Sequence, residues 1–102
     1  MKLEFYPEEK LRKEILEIVG KYLNLNSYRV FFFGSRVNGD NFLSSDIDIG
    51  IEGPEEVPAK IKLQIEEELD NLPTLYKFEV VDFRNIPLSF KEEALKHIEY
   101  VK

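Results

Sequence analysis

Residues 31–52 read FFFGSRVNGDNFLSSDIDIGIE, and the placement of the two aspartates near the end of that stretch decides how the chain is read. Asp46 to Glu52 alternates strictly: Ile47, Ile49 and Ile51 fall on one side, and Asp46, Asp48, Gly50 and Glu52 on the other. A period of two belongs to a strand with one packed face and one open face. Just upstream, Tyr28 to Phe33 is a short run rich in β-branched and aromatic residues that stops at Gly34. That is the pattern of a buried strand entering a turn. Two strands joined by a polar loop therefore hold Asp46 and Asp48 on one face, with Cα atoms about 6.5–7 Å apart.

The flanks extend this into an α/β (α+β) domain. PEEKLRKEILEIVGKYLNL begins with Pro7 at a first-turn position and Glu8 and Glu9 at the positive helix end. Leu11, Ile15, Ile18, Val19 and Tyr22 recur at helical spacing, which predicts an amphipathic helix. AKIKLQIEEELDNL predicts a second helix with Ile61, Ile65 and Leu69 on one stripe, and Leu75 to Phe83 a third strand broken by RNIP. LSFKEEALKHIEYVK predicts a last helix that turns Phe90, Leu95, Ile98 and Val101 inward. The expected architecture is a small mixed β-sheet packed with helices, one domain over residues 1–102.

Composition bounds the function. The 102 residues are 43% hydrophobic and 33% charged, which suits a folded soluble domain. No apolar run reaches the roughly 20 residues of a membrane span, and the N-terminus lacks the apolar core of a signal peptide. There is no cysteine, so disulfides and thiolate zinc sites are excluded. A cytoplasmic setting is expected. The net charge of −6 argues against extended nucleic acid as a partner. It does not argue against a small phosphorylated ligand carrying its own cation, because the metal reverses the local field.

Several phosphate and metal patterns fail at this loop. Gly34 and Gly39 bracket four residues as P-loop glycines do, but Asp40 and Asn41 follow where Lys and Ser/Thr are needed. A calcium loop starting at Asp46 meets Gly50 at a ligand position and Ile51 at the glycine position. The single His97 offers no histidine-based zinc or serine–histidine system and reads as structural or exposed. Tyr28, Tyr76 and Tyr100 read as core and rim aromatics.

What remains is Gly34-Ser35, ten residues, then Asp46-Ile47-Asp48. This spacing resembles the signature of the DNA polymerase β-like nucleotidyltransferase superfamily, and within it the chain is similar to the minimal nucleotidyltransferases (MNT) that partner helical HEPN proteins. The resemblance follows the order of the whole chain and is sharpest from Phe33 to Ile51. It implies the polymerase β-like fold and transfer of a nucleoside monophosphate, AMP from ATP, to a hydroxyl. It further implies a tyrosine of a HEPN-type partner as acceptor and a role as antitoxin.

Physical reasons for the residues stand beside the resemblance. Carboxylates spaced as Asp46 and Asp48 can converge on two Mg²⁺ ions about 3.5–4 Å apart, which removes their mutual repulsion. Gly34 lets the backbone approach a phosphate, and Ser35 adds a hydroxyl. Arg36 is a fork-shaped donor for the same clamp. The superfamily takes a third carboxylate from a neighbouring strand, and Asp82 in EVVDF is the expected one, with Glu79 as runner-up on the opposite strand face. Asn38 departs from the family pattern, which often places a basic residue there; it can hydrogen-bond a phosphate but brings no charge. Two other readings stay open: a binding antitoxin whose metal site is idle, and a small-molecule nucleotidyltransferase with a site across a homo-oligomer interface.

Overall fold

The computed structural model describes residues 3–38 and 46–102. Its elements, in chain order, are α1 (Glu8–Gly20), β1 (Arg29–Phe33), α2 (Ser35–Asn38), β2 (Ile47–Glu52), α3 (Ala59–Asp70), β3 (Phe78–Asp82), α4 (Leu88–Ala94) and β4 (Glu99–Tyr100). The four strands form one mixed sheet in the order β3-β2-β1-β4. β1 runs antiparallel to both β2 and β4, while β2 and β3 are parallel. This is the α/β arrangement expected from the sequence. Among the described residues, no helix is long and apolar enough to cross a membrane.

One face of the sheet carries the main core. Ile47, Ile49 and Ile51 of β2 pack with Val30 and Phe32 of β1 and with Phe78 and Val80 of β3. Leu11, Ile15, Ile18 and Val19 of α1 and Ile65 and Leu69 of α3 cover them. The apolar periods of 2 and 3.6 thus meet face to face, and each fully buried side chain contributes about 1.5–3 kcal/mol by transfer. Glu68 ties the two helices together, accepting from Lys21 Nζ at 2.5 Å and from the Tyr22 hydroxyl.

The opposite face is half covered. Phe31, Phe33 and Phe83 form a second, smaller cluster, with Val81, Ile86, Ala94, Leu95 and Ile98 against it. The rings of Phe31 and Phe33 meet Phe83 edge-on, with centroids 4.8 and 5.0 Å apart. This cluster needs Gly50: a Cβ there would lie 2.3 Å from the Phe31 ring.

The C-terminal segment departs from the expected long helix. α4 ends at Ala94, and Glu99–Tyr100 pairs with Phe31 and Phe32 as an edge strand. The Val101 N–H donates to the Val30 carbonyl at 2.8 Å, and Val101 is buried in the main core. A seven-residue helix is short for independent stability. The unpaired edge of β1 offers the following residues a ladder of hydrogen bonds instead. Phe90, expected inward, stays 46% exposed.

Candidate active site

The sheet register builds the site. Asp48 stands opposite Phe33 on β1 and opposite Glu79 on β3, so these three residues form one row across the second face. Two carboxylates are thereby placed side by side on parallel strands. Asp46 lies one residue before β2 and is exposed, near enough for its charge to act on Asp48. Burial, then the charge of Glu79, then that of Asp46 push the Asp48 carboxyl up to about 6 from its ordinary 3.8.

Asp48 and Glu79 line a cleft of about 350 Å³ beneath α4. Gly34 closes its polar end, and Phe33, Val81, Phe90 and Ala94 supply an apolar wall. Glu93 stands at the rim, and none of the described lining residues is basic. Gly34 is in the left-handed region with φ +84°, and a Cβ there would lie 2.1 Å from Asp48 Oδ2. Only glycine combines that backbone with that approach.

Among the described residues, no three acidic, histidine or cysteine side chains close on a single metal position. The donor set nevertheless fits a hard divalent cation. It consists of carboxylates alone, with Asp48 resisting ionisation through burial and then through the charges of Glu79 and Asp46, and with no lysine or arginine in the described lining to neutralise it. Asp48 and Glu79, side by side across β2 and β3, are the pair that could contribute to holding such an ion.

Asp82, expected as the third carboxylate, sits elsewhere. It shares a face with Phe78 and Val80, whose side chains pack in the main core, away from Asp48. There its Oδ2 accepts the Val57 N–H at 2.7 Å and its Oδ1 accepts the Arg84 N–H at 3.0 Å. The partner that an acid on this face requires is therefore backbone amide. Glu79 takes the position beside Asp48 because the parallel pairing aligns residue 79 with residue 48.

The loop residues are placed as follows. Arg36 in α2 is 4% exposed, and its guanidinium lies 4.7 Å from the centre of the Tyr76 ring. It is a buried, ring-stacked cation rather than an open phosphate donor. Ser35 and Asn38 have helical backbones in α2, and their side chains lie outside the described residues, as does all of 39–45. Sequence reasoning gave second rank to Glu79 and read Phe90 as core. Strand alternation did carry a signal for Glu79: residues 79 and 81 point away from the Phe78–Val80 side.

A sheet with paired acids on its open face, beside a strand–glycine–helix turn, defines a phosphoryl-transfer scaffold of the nucleotidyltransferase kind. Residues 8–101 match the family described as Polymerase beta, Nucleotidyltransferase, and the chain belongs to it. A search of curated proteins found no match. Among solved structures, a toxin–antitoxin complex with AMP-PNP superposes with a TM-score of 0.74 at 15% identity, covering 89% of this chain and 72% of that one. A tri-AMPylated Shewanella oneidensis HEPN toxin in complex with MNT antitoxin gives 0.73 at 12% identity, with coverage of 94% and 72%. The toxin–antitoxin MntA-HepT gives 0.70 at 14% identity, with coverage of 93% and 72%. The fold is that of a minimal nucleotidyltransferase.

Proposed function

We propose that this chain transfers AMP from ATP to a hydroxyl of a helical HEPN-type partner protein, acting as the antitoxin of the pair. The observation that carries the reading is the Asp48–Glu79 pair on the open sheet face beside Gly34, with the charge of Asp46 close enough to act on Asp48. The family supports nucleotidyl transfer, and the fold shared with the AMPylated HEPN complex supports the partner class.

In this reading Asp46, Asp48 and Glu79 would hold Mg²⁺, and Gly34 leaves room for the Asp48 carboxylate against the turn. Ser35 and Asn38 contribute to the phosphate cradle. Bound at these acids, Mg²⁺ neutralises charge developing on the transferred group. The acceptor oxygen bonds to the α-phosphorus while the bond from that phosphorus to the pyrophosphate oxygen breaks. Glu79 takes the hydroxyl proton, and pyrophosphate leaves. The apolar wall of Phe33, Val81 and Ala94 limits water at the reacting centre. Catalysis then rests on positioning and charge neutralisation.

The test is an incubation of the neighbouring-gene product with MgATP and either the natural chain or the Asp46→Asn/Asp48→Asn double variant, read by intact mass. Addition of one or more AMP units by the natural chain alone is expected. A stable complex with both versions and no added mass would replace the enzyme by an antitoxin that works by contact.

A further inference from the structure

The cleft brings acidic and aromatic side chains together. Gly34, Asp48, Glu79 and Glu93 are its polar lining, and Phe33, Val81, Phe90 and Ala94 its apolar lining. Phe90 is unlike the rest of its cluster. Phe31, Phe33 and Phe83 are each at most 5% exposed, whereas Phe90 leaves 46% of its surface open. Its ring is nonetheless held from behind, with centroids 6.3 Å from both Phe33 and Phe83 and close to perpendicular to Phe33 at 84°. α4 carries it without burying any residue fully, so burial alone does not account for an aromatic side chain at this position.

We propose that the exposed ring of Phe90 is the platform on which the base of the bound nucleotide stacks. The inference rests on the nucleotidyl-transfer reading above. A metal-bound triphosphate belongs at Asp48 and Glu79; apart from Glu93 at the rim, what remains of the cleft is apolar, and the planar, weakly hydrated part of a nucleotide is its base. About 350 Å³ lies at the small end of ligand sites, room for a base and its sugar with the phosphates running out over Asp48. A ring braced by two buried phenylalanines, edge-on by Phe33 and tilted against Phe83, is already oriented, so little side-chain freedom is lost on stacking.

The experiment is equilibrium binding of MgATP and of magnesium tripolyphosphate, which lacks base and sugar, to the natural chain and to Phe90→Ala, Phe90→Leu and Phe90→Tyr. Phe90→Leu keeps an apolar side chain against Phe33 and Phe83, so it separates stacking from packing. Phe90→Ala and Phe90→Leu are expected to weaken MgATP roughly 5- to 100-fold, with tripolyphosphate unchanged and Phe90→Tyr near the natural affinity. Equal weakening of both ligands, or no change in MgATP affinity in either variant, overturns the platform. No change in MgATP affinity with a raised KM for the protein acceptor would place the ring on the acceptor side. A natural chain that binds tripolyphosphate and MgATP equally overturns the platform alone, whereas one that binds neither overturns the nucleotidyl-transfer reading with it.

Discussion

Replacing Asp48 by Asn should stabilise the metal-free protein while abolishing transfer. The Asp48 carboxyl is pushed up to about 6 from 3.8 by burial and by the neighbouring Glu79 and Asp46. Because the folded pKa exceeds the unfolded one, the favourable contribution is complete below pH 3.8 and is lost as pH rises through about 6. At pH 8 the ionised Asp48 is therefore a net cost. At about 1.36 kcal/mol per unit, the shift bounds that cost near 3 kcal/mol. Asp48 is only partly buried, and solvent screening brings the expectation down to about 1 kcal/mol. Asn is neutral at every pH and nearly isosteric. In urea unfolding with a chelator present, Asp48→Asn should gain about 1 kcal/mol at pH 8, a rise of about 4–8 °C in Tm for a domain this size. The gain should disappear by pH 4. Adding Mg²⁺ at pH 8 should then stabilise the natural chain more than the variant. A variant less stable at pH 8, or a difference independent of pH, would refute the electrostatic account of this site.

Glu79→Gln should reduce transfer at least about 100-fold, while the metal-free protein becomes slightly more stable at pH 8 because a charge opposing Asp48 is gone. Asp82→Ala should do the reverse, costing about 1–3 kcal/mol by orphaning the Val57 and Arg84 amides while the folded protein keeps its activity. Comparing these two variants by urea melt and by AMP transfer tests which acid serves the site. Gly34→Ala should cost about 1–2 kcal/mol from the left-handed backbone alone. A Cβ would add its clash with Asp48, so both stability and activity should fall. Burial alone would raise the Glu52 carboxyl, but hydrogen bonds from Lys91 and Arg29 outweigh it and hold it below its ordinary 4.5. Its stabilisation is thus complete above pH 4.5 and is lost as pH falls below that. Glu52→Gln should destabilise the protein at pH 7, and the gap should close in acid on a pH series of urea melts.

Much of the structure is legible in the chain because it depends on local periodicity. The alternation of residues 46–52 makes Ile47, Ile49 and Ile51 core and leaves Asp48 on the other face, as observed. The helical spacing of Leu11, Ile15, Ile18 and Val19, and of Ile65 and Leu69, forecasts the buried stripes of α1 and α3. Spacing to Gly34 also suffices to mark Asp46 and Asp48 as acids to be considered together, since both belong to one strand and its edge.

Tertiary structure decided everything that depends on which strand lies beside which. Alternation puts Glu79 and Asp82 on opposite faces of β3, but only the parallel register between β2 and β3 sets residue 79 against residue 48. The same register leaves Asp82 to cap backbone amides at the far side of the sheet. Beyond Ala94 the helical pattern of the C-terminal segment yields to the free edge of β1, whose unpaired backbone groups outweigh propensity once the sheet exists. The cleft, its single open phenylalanine and the burial of Arg36 on Tyr76 follow from that packing. Sequence determines the faces of each element because side-chain direction is set by the residues immediately around it. Pairing between elements is set by the whole core at once, and it chooses which acids meet.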